Sequence, residues 1–172
     1  METIYFDEIP TPLGKMQVGI TQSGIAMFEF PIEKRITEHR KKFNESFTEV
    51  SSPPNDILAS LKTQINEYFD GHRKSFDLPI DLIGTDFQCS VWKALMTIPF
   101  GKTMSYLELA KSMGNAEGVR AVASANGQNR LPILIPCHRV IASDGKLTGY
   151  SGGISRKETL LSLESGQGRL SF

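Results

Sequence analysis

A cysteine followed directly by a histidine and an arginine, Cys137-His138-Arg139, is the group of residues in this sequence best suited to chemistry. The nucleophilic form of cysteine is the thiolate, and a nearby imidazole or guanidinium lowers the pKa of the thiol, which is about 8.5 in a free cysteine. A single cysteine in an apolar segment is more often a core residue. Its two polar neighbours nevertheless favour a reactive thiol, so Cys137 is the candidate nucleophile.

The apolar segment before this cysteine reads Leu-Pro-Ile-Leu-Ile-Pro. Because proline fixes φ and lacks an N–H donor, Pro132 and Pro136 predict a buried extended segment or a short edge strand. Adjacent side chains of an extended chain point in opposite directions, so His138 is expected to reach Cys137 only through a turn or a bridging water. A carboxylate would orient the imidazole, and Glu164 in the last predicted helix is the candidate, although it could also be a solvated helix end.

The sequence predicts neither a bound metal nor a cofactor. Its two cysteines and three histidines show no CxxC or HxxxH spacing, and adjacent Cys137 and His138 provide too few ligands for a closed site. Neither the GxGxxG pattern nor the phosphate-loop pattern occurs. The Gly152-Gly153 pair instead predicts a mobile or tightly turned loop near the same site.

Length and composition are those of a globular protein. The 172 residues suffice for one domain or two small ones, with 40% hydrophobic and 22% charged residues. No apolar stretch approaches the ~18 residues of a membrane span, and the first residues lack the basic region of a signal peptide. We therefore expect a soluble, cytoplasmic protein in which Cys89 and Cys137 are reduced.

Charge is distributed unevenly about Gly84, although the formal net charge is zero. Residues 1–84 contain nine Lys/Arg and thirteen Asp/Glu, a net charge of −4, whereas residues 85–172 contain ten and six, a net charge of +4. This asymmetry is expected if only the second half meets a polyanion, and it also arises by chance in a neutral protein. The character of the sequence changes at the same point, which predicts two domains, 1–84 and 85–172.

The first half combines a predicted sheet with predicted helices. Near the N-terminus, β-rich runs alternate with turn residues and predict an antiparallel meander. Residues 33–42 are charged and predict a helix or a solvated segment, in which His39 has no evident partner. Apolar residues at helical spacing then predict a helix from Asp56 to Asp70, with Gly71 as its stop.

The second half contains three capping boxes, in which a hydroxyl residue and a Glu or Gln three positions later satisfy the exposed amides of a helix start. They begin at Thr85, Ser105 and Ser155. The apolar residues expected to be buried by the first of these helices are Phe87, Val91, Trp92 and Leu95. A further helix is predicted over residues 116–126, with Asn115 as its cap.

The helix after the second capping box and the helix after Asn115 predict a helix-turn-helix. Many such pairs bind nothing, so the pattern alone is weak evidence for DNA binding. The second helix has small side chains, including Ala121 and Ala123, which would let its backbone approach a partner closely. Arg120 is the only long cationic side chain among them, and it is either a snorkelling surface residue or a probe that reaches into a partner.

Several segments of the second half form a recognisable set: Arg120-Ala121-Val122, Pro136-Cys137-His138-Arg139-Val140 and Gly149-Tyr150-Ser151-Gly152-Gly153. This set resembles the methylated-DNA-protein-cysteine methyltransferases, which repair O6-alkylguanine. The resemblance covers nearly all of residues 85–164. It implies a mixed α/β (α+β) fold, in which a ribonuclease-H-like N-terminal β-meander with a helix precedes a mainly helical, winged helix-turn-helix-like DNA-binding domain.

The resemblance also implies a reaction and the residues that carry it. Cys137 would accept the alkyl group irreversibly, once per molecule, from an O6-alkylguanine flipped out of duplex DNA, with O4-alkylthymine as a further substrate. His138, through a water, and Glu164 would keep the thiol deprotonated. Tyr106 would donate a proton or a hydrogen bond to the guanine, and Asn129 would tie the loop before Cys137 to the helix-turn-helix.

The remaining implied roles concern DNA. The residues implied in DNA binding are Ser105, Arg120, Ala121 and Ala123, with Arg120 filling the space that the flipped base leaves. The residues implied in the base pocket are Val140, through its carbonyl, Ser143, Tyr150 and Ser151. The implied partner is double-stranded DNA containing O6-alkylguanine, and the protein is expected to be a monomer without a membrane association.

Two other functions are compatible with parts of the sequence. An alkyltransferase-like protein would bind the lesion without chemistry, but such relatives lack the acceptor cysteine, and Cys137 is present. An unrelated thiol hydrolase would turn over repeatedly, but nothing in the sequence suggests an acyl pocket or an oxyanion hole.

Overall fold

A computed structural model describes residues 1–147 and 149–166 of the protein. The chain divides into two compact units, one formed by residues Met1–Ile83 and one that begins at Gly84. The first unit contains a four-stranded sheet and the second is mainly helical, which confirms the predicted mixed α/β class. None of the helices within the described ranges is long and apolar enough to cross a membrane.

The sheet of the first unit confirms the predicted meander and adds a strand to it. Its strands are β1 (Glu2–Thr11), β2 (Gly14–Thr21), β3 (Ile25–Glu29) and β4 (Phe47–Val50). Their spatial order is β3-β2-β1-β4, with antiparallel pairing except between β1 and β4, which are parallel. The sequence did not predict β4, because four residues with two exposed polar side chains carry too little periodicity.

Two helices accompany this sheet, α1 (Glu33–Asn44) and α2 (Ile57–Phe69). The helix expected between residues 56 and 70 is confirmed, and the charged segment that begins at Glu33 proves to be helical. The buried aromatic Phe43 of α1 packs with Phe47 in a hydrophobic cluster of this unit. Burial of that side chain, rather than propensity, holds a strongly charged helix in place.

The interpretation of His39 as a residue without a partner was wrong. Its Nε2 lies 3.1 Å from Oε2 of Glu29, a buried carboxylate on β3. Arg35 donates to the same oxygen at 3.0 Å, and the backbone N–H of Phe30 donates to the other oxygen at 3.0 Å. The partner was missed because β3 and α1 meet only in the folded chain.

Removal of this buried carboxylate is expected to destabilise the first unit. Glu29→Ala should lower the free energy of unfolding by about 3 kcal/mol, because it leaves the partly buried Arg35 guanidinium and the buried His39 ring without their carboxylate partner. The matched control is Glu49→Ala, which breaks the exposed pair that Glu49 forms with Arg40 at 3.0 Å and should cost about 1 kcal/mol or less. Urea-induced unfolding measures both variants, and equal losses would contradict the assignment.

The second unit contains four helices and a short two-stranded sheet within its described residues. Its elements are α3 (Asp86–Leu95), β5 (Met104–Ser105), α4 (Tyr106–Ser112), a 3-10 turn (Ala116–Gly118), α5 (Val119–Gly127), a second 3-10 turn (Cys137–Arg139), β6 (Val140–Ile141) and α6 (Ile154–Ser165). The two strands pair in parallel, with Met104 opposite Val140 and Ser105 opposite Ile141. This pairing brings the start of α4 next to the chain that leaves the second 3-10 turn.

Two of the three predicted capping boxes are confirmed. The side chains of Thr85 and Ser105 each accept from the amide three residues on, and the reciprocal bonds are present. The third prediction was wrong, because α6 begins at Ile154 with Gly153 at its N-cap. Gly153 has φ +94°, a conformation that favours glycine, and it places the N-cap two residues before Ser155.

Two further expectations for these helices were also wrong. Phe87 is 39% exposed, whereas Val91, Trp92 and Leu95 are buried as predicted. The Asn115 side chain does not cap a helix, since a 3-10 turn precedes α5. That side chain lies against Gly118, where a Cβ would overlap it.

Candidate active site

Cys137 lies at the start of a tight turn rather than at the end of a strand, which corrects the predicted extended segment. The amide of Ile135 donates to the Leu131 carbonyl at 2.8 Å, so the apolar segment folds back on itself. Ile133 has φ +74°, an unusual conformation for a β-branched residue. The fixed φ of Pro132 favours a turn at this point. Cys137 is 4% exposed, so the thiol is held in the protein interior.

The buried Asn129 side chain holds the two ends of this folded segment together. Its Nδ2 donates to the Ile135 carbonyl at 2.9 Å, and its Oδ1 accepts from the Leu131 amide at 2.9 Å. Asn129 lies two residues after the end of α5, and its amide donates to the Asn126 carbonyl at 3.3 Å. Hydrogen bonds of Asn129 therefore connect the segment before Cys137 to the end of α5.

His138 and Arg139 share one carboxylate of α6. His138 Nε2 lies 2.7 Å from Glu164 Oε1, and the Arg139 guanidinium donates to Oε2 at 2.8 Å and to Oε1 at 2.9 Å. A third Arg139 nitrogen donates to the Ile98 carbonyl at 2.6 Å. Sequence reasoning paired Glu164 with His138 but assigned no contact to Arg139. A charged residue next to a buried histidine was the signal that could have suggested one.

The protonation states follow from burial and from this pairing. Burial raises the pKa of the Glu164 carboxyl, but hydrogen bonds and charges from His138 and Arg139 outweigh it and lower the pKa to about 2. Burial lowers the pKa of the His138 imidazole despite the opposing effect of Glu164, so the ring is neutral at neutral pH. Its Nδ1 is buried and has no hydrogen-bond partner among the described residues. A neutral ring whose Nε2–H donates to Glu164 leaves Nδ1 as an acceptor.

The low pKa of Glu164 predicts a loss of stability in acid. Since the folded-state pKa of about 2 lies below the ordinary value of 4.5, the ionised carboxylate stabilises the fold above pH 4.5, and this contribution disappears as the pH falls toward about 2. The ionised carboxylate thus contributes about 3 kcal/mol to the free energy of unfolding. The difference in unfolding free energy between wild type and Glu164→Gln should shrink by this amount between pH 5 and pH 2, measured by urea unfolding. A difference independent of pH would contradict the assignment.

Tyr106 interacts with the thiol, and Ser105, the residue before it, lies on β5 opposite Ile141 of β6. Burial, and to a smaller extent the nearby Cys137, raise the pKa of the Tyr106 phenol, so it is protonated at neutral pH. Ser105 caps α4 through its side chain, which accepts from the Glu108 amide at 3.0 Å. Its hydroxyl is thus engaged in the helix start.

The loop before α6 is fastened to the same region. Ser151 Oγ donates to the Gly127 carbonyl at the end of α5 at 2.7 Å. Tyr150 is partly buried, and the Lys157 Nζ lies 5.6 Å from the centre of its ring. Lys157 is fully buried and donates to the Val140 carbonyl at 2.6 Å. Sequence reasoning assigned no role to Lys157, and lysine side chains are seldom fully buried.

The other predicted residues lie on the surface and outside this cluster. Arg120 and Ala121 are exposed near the start of α5, and Ala123 is partly exposed. Ser143 is exposed in the turn after β6. Thr148, which separates that turn from Gly149, lies outside the described residues.

Comparison with known proteins agrees with this division into a sheet unit and a helical unit. Residues 4–82 match the ribonuclease-like domain of 6-O-methylguanine DNA methyltransferase, and residues 86–166 match its DNA binding domain. The methylated-DNA–protein-cysteine methyltransferase of Mycobacterium tuberculosis is 42% identical over 164 residues, which are 94% of this chain and 92% of that protein. The constitutive enzyme of that name from Bacillus subtilis is 40% identical, over 93% of this chain and 94% of its own.

Solved structures give the same result. The crystal structure of M. tuberculosis OGT in complex with DNA superposes with a TM-score of 0.81 at 38% identity and covers 96% of each chain. Fold and sequence together therefore define a two-domain protein with a ribonuclease-like unit and a DNA-binding unit. The chain belongs to the 6-O-methylguanine DNA methyltransferase family.

Proposed function

We propose that this protein repairs O6-alkylguanine in duplex DNA by direct reversal, transferring the alkyl group irreversibly to Cys137. The observation that carries the proposal is the buried Cys137 thiol, held at a fixed turn beside the His138–Glu164 pair and following a helix-turn-helix. Family membership supports the same reaction, since the relatives are named for transfer from methylated DNA to a protein cysteine. We extend the proposed substrates to O4-alkylthymine.

The transfer is a single displacement at the alkyl carbon. The thiolate forms the S–C bond, the C–O6 bond breaks, and its electron pair remains on the guanine. His138 serves as the acceptor for the thiol proton through a bridging water, because its ring is neutral and Glu164 orients it. Tyr106 donates a proton or a hydrogen bond to the departing guanine, and its raised pKa keeps the phenol protonated until then.

The base pocket is proposed to lie around the chain that leaves Cys137. The Val140 carbonyl and Ser143 would read the edge of the base, with Tyr150 and Ser151 as pocket walls. Asn129 would keep the segment before the thiol in position, as its two buried hydrogen bonds indicate. A fixed acceptor suits a protein that reacts once, since the substrate rather than the thiol must move.

DNA binding is assigned to the surface of α5 and the start of α4. Arg120 is exposed on α5 next to small residues, including Ala121 and Ala123, which would let the helix enter the minor groove. Arg120 would occupy the space of the flipped nucleotide, and Ser105 would lie at the edge of the contact. The second unit thus combines DNA binding and alkyl acceptance, and the first is an accessory domain. We expect a monomer acting in the cytoplasm.

Stoichiometry distinguishes this function from its alternatives. With duplex O6-methylguanine in excess, lesion loss should stop at one equivalent per protein molecule, because a thioether is not a leaving group that the protein can remove. A lesion-binding protein without transfer activity would leave all lesions in place. A thiol hydrolase would continue past one equivalent, and either outcome would overturn the proposal.

A further inference from the structure

Lys157 is a buried cation without a carboxylate partner. Its side chain is fully buried in α6, and its Nζ donates to the Val140 carbonyl at 2.6 Å. An ammonium has three donors, and a neutral carbonyl does not compensate its charge. No carboxylate lies within ion-pair distance of its Nζ among the described residues. A buried charge in this situation is costly unless an anion lies nearby.

Glu164 is the carboxylate of the same helix, but it is already engaged. Arg139 binds it through two nitrogens, and His138 occupies the same carboxylate. The Glu164 and Arg139 charges therefore cancel, and His138 is neutral. The charge of Lys157 is the one that remains to be balanced within this cluster.

The titratable group that interacts electrostatically with Lys157 is the Cys137 thiol, and the Val140 carbonyl that Lys157 binds lies three residues after Cys137 in the chain. Burial lowers the pKa of the Lys157 ammonium, and interaction with Cys137 opposes that effect. The charged and titratable groups around the thiol are Tyr106 from α4, His138 and Arg139 from its own turn, and Lys157 and Glu164 from α6. With Cys137 as a thiolate this cluster is neutral, whereas with a protonated thiol it carries one buried positive charge.

We propose that the Lys157 ammonium is the counter-charge of the Cys137 thiolate. The inference deepens the proposed function, on which its meaning for repair rests. Through its bond to the Val140 carbonyl, Lys157 also fixes the thiolate relative to the carbonyl that would read the base. Lys157 is thus a positioning residue that acts through Cys137 and Val140. Before transfer, the thiol proton passes through the water that bridges to His138 and on to the solvent, so His138 is neutral again. During transfer the negative charge passes from sulfur to the guanine, which takes a proton from Tyr106, and Tyr106 regains one from the solvent.

A thiol titration without DNA tests the pairing. In a Cys89→Ser background, Cys137 is the sole thiol, and the ultraviolet absorbance of its thiolate follows its ionisation. Lys157→Met should raise the thiol pKa, so that the thiolate fraction at a given pH below that pKa falls about tenfold or more. Lys157→Arg should restore it. The matched control is Arg156→Met, which removes a positive charge one residue earlier on α6 and should leave the titration unchanged. An unchanged titration in Lys157→Met, or an equal change in both Met variants, would overturn the proposal.

A second measurement uses the protein without substitution at Lys157, in case Lys157→Met fails to fold. Nuclear magnetic resonance of lysine-labelled protein follows the titration of Lys157 before and after iodoacetamide blocks Cys137. Conversion of the thiolate to a thioether should shift the Lys157 titration to lower pH, because linked groups affect each other reciprocally. An unchanged titration would count against the pairing.

The two proposals fail in distinguishable ways. If the thiol titration shifts but the wild-type protein leaves O6-methylguanine unrepaired, the charge pair stands and the proposed function falls. If the wild type repairs DNA but Lys157→Met leaves the thiol titration unchanged, the proposed function stands and the charge pair is contradicted. If both hold, methyl transfer by Lys157→Met should be about tenfold slower at neutral pH and should approach the wild-type rate as the pH rises.

Discussion

Replacement of Cys137 by serine is expected to abolish methyl transfer while the protein still binds duplex DNA that contains O6-methylguanine. A serine hydroxyl has nearly the same shape as the thiol but does not ionise at neutral pH, so no nucleophile of useful strength remains at the turn. The expected loss is about 10³-fold or more, as for other enzymes that lose their nucleophile. Single-turnover assays measure transfer, and a gel-shift assay measures binding.

The control for this variant is Cys89→Ser. Cys89 lies on α3 and is partly exposed, outside the cluster around Glu164. Its replacement should leave transfer unchanged. Transfer that persists in Cys137→Ser, or that disappears in Cys89→Ser, would mean that the acceptor is misassigned.

Arg120→Ala is expected to slow repair of duplex DNA while sparing transfer from a free base analogue. Extrusion of a nucleotide costs a few kcal/mol of stacking and pairing, and a side chain that occupies the vacated space recovers part of that energy. A loss of about 1.4 kcal/mol or more corresponds to about a tenfold slower reaction. The free base needs no extrusion, so its transfer rate should change little.

The effect of Arg120→Ala on duplex repair is interpreted by comparison with its effect on transfer from the free base analogue. The matched control is Lys111→Ala, which removes an exposed cation from α4 and should have a smaller effect on duplex repair. Equal losses on the duplex and on the free base in Arg120→Ala would indicate damage to the acceptor site and count against a role in base extrusion.

Local patterns in the sequence predicted local structure well. The capping boxes at Thr85 and Ser105 depend on residues three positions apart, and both form as expected. The capping box at Ser155 has the same spacing but fails, because the loop before it turns into the helix at Gly153. The start of this helix therefore depends on the preceding loop, which is not part of the motif.

Contacts between distant segments were harder to predict. The interpretation of the proline-containing segment as extended was based on its prolines and not on Asn129, whose side chain closes that segment into a turn. Lysine and arginine side chains are seldom buried, yet those of Arg139 and Lys157 are. Glu164 of α6 pairs with Arg139, and the Val140 carbonyl accepts a hydrogen bond from Lys157. Such pairings depend on which distant segments are in contact in the folded protein, and the periodicity of the sequence does not indicate those contacts.

The chemical types of the central residues were nevertheless informative in the sequence alone. Cys137 and His138 stood out because a thiol and an imidazole are adjacent in an apolar setting, and Glu164 was paired with His138 as its orienting carboxylate. The structure adds that the three lie on two elements, the 3-10 turn and α6. It also replaces the expected alternation of side chains by a turn, which leaves Nδ1 of His138 buried as an acceptor.

The most direct test of alkyl transfer to Cys137 is to follow the methyl group itself. The protein is mixed with a duplex that carries O6-methylguanine labelled at the methyl carbon, and its peptides are then analysed by mass spectrometry. We predict one labelled methyl group per protein molecule, on the peptide that contains Cys137, together with restored guanine in the DNA. Unmodified Cys137 with a persistent lesion, or label recovered on another residue or in solution, would contradict it.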